Sequence, residues 1–160
     1  MEKPTLFFIF ALSLLVLSVS ALAWEARVVD VADGDTITVE PIQGGNRVKI
    51  RLHGIDAPET KQSYGQAAKG FVNNVALYKV VDVQPTPQGS DRYGRIVAVV
   101  VIPGIGILQE LLLERGLAWV YPRYCKNCTN WEAIQTQAQS QQRGLWTDKD
   151  PIPPWEWRKR

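Results

Sequence analysis

The chain is poor in the residues from which many metal and nucleophilic sites are built: it has one histidine, His53, and two cysteines, Cys125 and Cys128. A zinc centre on the cysteines would need two further ligands, and His53 is far from both in sequence. A thioredoxin-type redox role for C-K-N-C would need a βαβ context, which the pattern lacks. Charge of one sign is also scarce. Eighteen Lys and Arg against sixteen Asp and Glu leave a net charge of +2, so total charge does not mark a nucleic-acid binder and the placement of basic groups has to. There is no internal repeat and no sign of a second domain.

One long apolar run is present, from Leu6 to Val19, preceded by Lys3 and followed by Ala21-Leu22-Ala23. A basic residue, a short apolar core and an A-x-A site read as a secretory signal peptide over residues 1–23. An uncleaved anchor is the alternative, although a spanning helix needs about 20 apolar residues. No cysteine follows the run, so nothing points to lipid attachment. Cleavage after Ala23 removes Glu2 and Lys3 together and leaves the net charge unchanged. The mature chain has the length of one domain: residues 24–146, with 147–160 as a Pro- and Trp-rich basic tail. In an exported chain, Cys125 and Cys128 most simply form a local disulfide, which stabilises little because the loop is short.

Residues 25–31 are rich in valine and predict a first strand. Asp33-Gly34 supplies a turn, and Thr36 to Glu40 alternates polar and apolar as a half-buried strand does. Pro41 and Gly44-Gly45-Asn46 interrupt, after which Val48, Ile50 and Leu52 resume the alternation. Strand periodicity then puts Arg47, Lys49 and Arg51 on the opposite face, a basic stripe that ends beside D-A-P-E at 56–59. Ser63 to Gln66 has capping-box spacing and predicts the start of a helix running to about Leu77, with Ala67, Ala68, Phe71, Val72, Val75 and Ala76 as its apolar stripe. Val80–Val83 predicts a fourth strand, Pro85 to Ser90 a loop, and 95–101 a fifth strand apolar enough to be buried on both faces.

A short helix is predicted over Ile107–Arg115, capped by Gly116. A second capping box, Thr129 to Glu132, opens a glutamine-rich helix that runs to Gly144, with Trp131, Ile134 and Ala138 as a narrow apolar seam. The tail reads as an extended segment that docks through its tryptophans. Five strands, a helix between the third and fourth, and two helices after the fifth predict a mainly β fold with helices: a five-stranded Greek-key barrel of the OB type, whose strand 2–3 face commonly meets nucleic acid.

The hairpin from Asp33 to Glu59 concentrates Asp33, Asp35, Asp56 and Glu59 at one corner of that barrel. Carboxylates so close raise one another's pKa unless a cation lies among them. Oxygen ligands without histidine or cysteine argue for calcium or magnesium, and few carboxylates imply weak binding, on the order of 10⁻⁴–10⁻³ M if calcium. Arginine is suited to phosphate because it stays charged and donates two parallel hydrogen bonds. Arg51 and Arg95, from different strands, form a candidate phosphate clamp, and Glu59 a candidate group for orienting or deprotonating water.

D-G-D-T at 33–36, R-L-H-G-I-D-A-P-E at 51–59 and D-R-Y-G-R at 91–95, in this order, resemble the staphylococcal nuclease (thermonuclease) family over roughly Ala26 to Trp146. The resemblance implies an OB-type barrel and calcium-dependent hydrolysis of DNA and RNA, with little sequence preference and 3′-phosphate ends. Position by position it implies that Asp35 and Asp56 bind one calcium through their side chains and Ala57 through its backbone carbonyl, with Asp33 just outside that shell. Glu59 acts on the water, and Arg51 and Arg95 hold the phosphate. Arg92 and Tyr93 fall where the family contacts the nucleotide, and Tyr121 and Tyr124 align loosely with its base-contacting tyrosines. Lys49 joins the substrate contacts as part of the basic stripe.

The segment after Glu59 is shorter than in the family's best-known member and lacks most of a lysine-rich loop, while C-K-N-C and the P-P-W-E-W-R-K-R tail lie outside that member's pattern. His53, two residues after Arg51, is expected to be structural or to share the face of Arg51. The competing readings are an OB module that binds single-stranded nucleic acid without cutting it, and an exported interaction domain that uses its W-E-W tail. Neither needs Arg51, Glu59 and Arg95 together with two metal-binding acids. A monomer with no protein partner, exported to the periplasm or beyond the cell, is the expectation.

Overall fold

The structure, a computed structural model, describes residues 23–126 and 128–160. The signal-peptide reading therefore falls outside the described residues, apart from Ala23. Five strands close a barrel: β1 (Trp24–Val31), β2 (Thr36–Pro41), β3 (Val48–Leu52), β5 (Val80–Ser90) and β6 (Ile96–Ile102). They run in the order β3-β2-β1-β5-β6, and a parallel pairing of β3 with β6 closes the ring. All other contacts around the ring are antiparallel. This is a mixed, closed barrel of the OB type. A short strand β7 (Gly106–Ile107) extends the sheet beyond β6, and β4 (Ile55–Asp56) pairs separately with β8 (Trp119–Val120).

The alternation in the sequence is what fills the barrel. Ala26, Val28, Ile37, Val39, Ile50, Leu52, Val81, Val83, Ala98 and Val100 are all essentially inaccessible, and each follows the period of two that a strand imposes. A bulge between Val28 and Asp30 resets β1, so that Val31 rather than Asp30 points inward. On β6 the face carrying Val100 and Ile102 is buried, while Ile96, Val99 and Val101 are only partly covered, so the strand is less enclosed than its composition predicts.

Four helices surround the barrel: α1 (Gly65–Ala76), α2 (Leu108–Glu114), α3 (Thr129–Ser140) and α4 (Pro154–Trp157). In α1, Ala68, Val72 and Ala76 face the core, Phe71 and Val75 flank them, and Ala67 is exposed. Neither expected capping box forms. The cap position of α1 is Tyr64 and that of α3 is Cys128, both without a side-chain cap. Ser63 donates to Asp148, 85 positions away, and Gln66 to the nearby Thr60 carbonyl, so other partners have taken the groups that a capping box would use.

Strand β5 runs through Pro85 and Pro87, where a loop was expected. Its pairing with β1 ends at Val83, so beyond that point one edge is free, and a residue without an N–H is tolerated there. Helix α3 stops at Ser140 rather than running to Gly144. Gln142 takes φ of 49°, and its N–H and that of Arg143 bond back to the carbonyls of Gln139 and Ala138. That is a Schellman closure made by a residue other than glycine. Gly116 closes α2 in the same way at φ of 62°, as its position predicts. Gln109 of α2 supplies what no periodicity signals: buried, it donates to the Ala98 carbonyl and accepts from the Val100 N–H, tying the helix to β6.

Candidate active site

D-G-D-T and D-A-P-E meet across the barrel corner. Asp33 Oδ1 accepts the Asp35 N–H at 2.9 Å, and Asp35 Oδ2 accepts the Ala57 N–H at 2.7 Å. Gly34 is required by this approach, since a Cβ there would lie 2.7 Å from the methyl groups of Ala57 and Ala68. Asp56, on β4, is 1% exposed. Glu59 stands at the rim, its N–H bonded to Gln62 Oε1 at 3.1 Å. Gly65 packs on the Glu59 carbonyl so closely that no side chain fits between them.

Arg51 projects from β3 into these acids. Its Nη1 donates to the carbonyls of Leu52 and Ile55, both at 2.9 Å, and its Nη2 lies 2.9 Å from Asp56 Oδ1 and 3.2 Å from Asp35 Oδ2. The guanidinium fork is thus engaged by the protein: Nη1 is taken by backbone carbonyls and Nη2 by carboxylates, in place of the two parallel bonds expected to phosphate. Arg95 is different. Asp91 Oδ2 accepts its Nε at 2.7 Å and Thr36 Oγ1 accepts Nη1 at 3.1 Å, which leaves Nη2 without a bond among the described residues, and Arg95 lines the same cleft.

Asp91 also organises the D-R-Y-G-R loop, with Oδ1 accepting the N–H groups of Tyr93 and Arg95. Although burial opposes its charge, these bonds from Arg95 and Tyr93 hold the Asp91 carboxyl below the usual carboxylate range. Gly94, at φ of 76°, makes the turn that returns Arg95 toward Asp91.

The acids are not balanced by the arginines. Burial and then repulsion from Asp35 push Asp33 up to about 6. Burial also raises Asp56, opposed by its bond from Arg158 and reinforced by Asp35. Asp33, Asp35, Asp56 and Glu59 face two guanidinium groups, those of Arg51 and Arg158, so the acids outnumber the cations paired with them, and Asp33 has no ion pair among the described residues. Among the described residues, no group of three or more His, Cys, Asp or Glu side chains is arranged to hold a metal ion.

An open cleft of about 710 Å³ is lined by Asp33, Asp35, Arg51, Asp56, Ala57 and Glu59 on one side. Arg92, Tyr93 and Arg95 line another part of it, as do Tyr121, Arg123 and Tyr124. Tyr93 is 68% exposed, with Arg92 over its ring at 4.8 Å. Tyr121 is not free: its ring stacks on Trp155 at 5.0 Å, and Tyr124 meets it edge-on at 5.1 Å. Lys49, paired in register with Thr38, is exposed and does not line the cleft.

His53 also stands apart. The strand ends at Leu52, so the alternation that would carry His53 to the face of Arg51 is lost, and its ring lies 6.2 Å from that of Trp131. Burial, then the charge of Arg51, lowers its pKa. Cys125 and Cys128 are bonded as a disulfide. A Cβ on Gly54 would lie 2.8 Å from the Cys125 sulfur and 2.7 Å from Trp131, so the bridge packs against the turn that carries the chain from Arg51 to Asp56.

Four cleft residues escaped the sequence reading: Arg123, Trp155, Arg158 and Lys159. Three of them belong to the tail. Its tryptophans signal docking, and Trp155 docks as expected, on Tyr121 and at 5.9 Å edge-on to Trp119. The final turn is helical rather than extended, and that turn aims Arg158 back at the acids.

The chain is similar to proteins from several bacteria. An endonuclease from Escherichia coli, described as uncharacterized, is 40% identical over 98% of this chain and 96% of its own length. One so described from Haemophilus influenzae is 38% identical over 84% of this chain and 72% of its own. A micrococcal nuclease from Shigella flexneri is 33% identical over 90% and 87%. The family model described as staphylococcal nuclease homologue matches residues 49–148, from the third barrel strand past the helix carrying Trp131. By its barrel, its motifs and this match, the chain belongs to the staphylococcal nuclease homologue family.

Proposed function

We propose that the protein is an exported, calcium-dependent nuclease that hydrolyses phosphodiester bonds of DNA and RNA with little sequence preference and leaves 3′-phosphate ends. The observation that carries this reading is the convergence of Asp35, Asp56, Glu59, Arg51 and Arg95 on one open cleft. Relatives named endonuclease and micrococcal nuclease support it.

A hard divalent cation fits the residues present. Four acids at the barrel corner share two arginines, Asp33 has no ion pair among the described residues, and burial raises the pKa values of Asp33 and Asp56. Asp35 and Asp56 would hold the ion with the Ala57 carbonyl, and Asp33 would stand outside them. Two side-chain carboxylates and one carbonyl make a weak set that suits calcium, with magnesium as the poorer fit. When bound, the ion supplies a positive charge to oppose the charge that builds on phosphoryl oxygens.

The remaining roles fall to this chain's own groups. Glu59, 39% exposed at the rim, takes a proton from water as the water oxygen bonds to phosphorus. The bond from phosphorus to the 5′ oxygen breaks, and that oxygen leaves as a hydroxyl by taking a proton from solvent water in the open cleft. Arg95 donates to the phosphate through its open edge, and Arg51 keeps Asp35 and Asp56 in place while contributing its charge. Arg92, Tyr93, Tyr124 and Arg123 line the path of the neighbouring nucleotides. The apolar leader supports export, to the periplasm or beyond, and the single small domain acts as a monomer.

Digestion of heat-denatured DNA by the purified mature chain tests the reading: shortening of the DNA with calcium, and none after chelation, is expected. Full activity in chelator would overturn the metal assignment. Salt-sensitive retardation of the DNA without any shortening would instead support a binding module.

A further inference from the structure

The C-terminal helix α4 delivers a third arginine to the cleft. Arg158 Nη1 lies 2.6 Å from Glu59 Oε1, and its Nη2 lies 2.7 Å from Asp56 Oδ2. The approach is built at several points. Gln62 accepts the Glu59 N–H with its Oε1 and donates from Nε2 to the Ile152 carbonyl at 2.6 Å, so one buried side chain joins the loop of Glu59 to the tail. Pro154 is buried, and Trp155 stacks on Tyr121. Only after these anchors does the single turn of α4 place Arg158 between a buried aspartate and a rim glutamate.

The geometry points to Arg158 as a positioning residue that holds the Glu59 carboxylate toward the reacting phosphate; this rests on the reading that Glu59 acts on the water. Glu59 is the one acid of the cluster that is substantially exposed, and a three-bond side chain at the rim has several rotamers to sample. Arg158 restricts them through a charge-assisted bond. Its other nitrogen is on Asp56, which Arg51 also holds, so the position of Glu59 is referred to a buried acid paired with two arginines. The last ten residues are therefore part of the active site. They also place the aromatic face of Trp155 and the charge of Lys159 along the cleft.

Kinetics on the full mature chain test this, with Arg158→Ala, Arg158→Lys, Glu59→Ala and the double variant Arg158→Ala/Glu59→Ala. Loss of the guanidinium is expected to lower kcat on a short oligodeoxynucleotide by on the order of 10- to 100-fold, the scale of a misplaced catalytic group. KM is expected to stay within about twofold, because the interaction is not one of uniform substrate binding. Arg158→Lys recovers part of kcat, and Arg158→Ala has little further effect in the Glu59→Ala background, as coupled residues require. Calcium affinity, measured by calorimetry without substrate, and the thermal midpoint of Arg158→Lys stay near wild type.

An unchanged kcat in Arg158→Ala would overturn the proposal while leaving Glu59 as the base, provided Glu59→Ala is inactive. Raised KM with unchanged kcat would make Arg158 a phosphate contact instead. Tighter calcium binding with higher activity at limiting calcium would make it a tethered competitor of the ion. An active Glu59→Ala variant would remove both this proposal and the base assignment beneath it. If Arg158→Ala does not fold, the kcat and KM of Arg158→Lys decide the matter by the same criteria.

Discussion

Arg95 Nη1 bonds to Thr36 Oγ1 at 3.1 Å across 59 positions of sequence, and Thr36 is the register partner of Arg51. One buried hydroxyl therefore sits between the two arginines, and it also donates to Asp35 Oδ1 at 3.2 Å. Thr36→Val keeps the shape of the side chain and removes both bonds. It is expected to cost about 1 kcal/mol of stability, and to lower kcat/KM severalfold because Arg95 loses its far anchor. Denaturant unfolding and steady-state kinetics on one preparation check both effects.

Substitution separates the two arginines. Arg95→Ala removes a guanidinium with an open edge and is expected to lower kcat by roughly 10²–10³-fold, at a cost of about 1 kcal/mol for its bonds to Thr36 and Asp91. Arg51→Ala lowers kcat comparably and also leaves the buried Asp56 with one ion-pair partner fewer, at a cost on the order of 3 kcal/mol. Equal unfolding midpoints for the two variants would contradict the division of labour described above.

The loop that carries Arg95 has its own pH dependence. Because bonds to Arg95 and Tyr93 depress Asp91 below its ordinary value in the folded chain, their contribution is complete above the unfolded carboxylate pKa and is lost as pH falls through the folded one. Asp91→Asn is expected to be less stable than wild type by about 1 kcal/mol at pH 7. The gap narrows as pH falls below the ordinary carboxylate range and closes through the lower pKa of folded Asp91, below which both forms are neutral. Thermal midpoints of the two proteins between pH 3 and 8 measure it, and a constant gap would contradict the assignment.

Calcium is expected to stabilise the fold by an amount that rises with the logarithm of its concentration above the dissociation constant. At ten times the dissociation constant the gain is about 1.4 kcal/mol, and magnesium at equal concentration gives less. Asp56→Asn removes most of the shift. Scanning calorimetry at increasing calcium, followed by chelation, tests this independently of any substrate.

How far the site was legible follows from the range of each interaction. The motifs at 33–36, 51–59 and 91–95 mark residues whose spacing is local: a turn closed by Asp33 on Asp35, a strand that sets the face of Arg51, and a loop closed by Asp91 on Arg95. His53 was ambiguous because its placement depends on where β3 stops, and pairing decides that. The first capping box failed for a related reason: Ser63 bonds to Asp148 and Gln66 to the Thr60 carbonyl, in competition with capping.

The sequence alone determined the barrel strands through their period of two, apart from the extension of β5 through Pro85 and Pro87, and it determined which acids and arginines could share a corner. Only the tertiary structure decided how their hydrogen bonds are spent. Arg51 turns inward because Asp35 and Asp56 lie within its reach, Arg95 keeps a free edge because Asp91 and Thr36 take only part of it, and Arg158 arrives because Trp155 and Gln62 hold the tail. These outcomes depend on contacts between residues up to 102 positions apart, and such distances leave no period in a sequence.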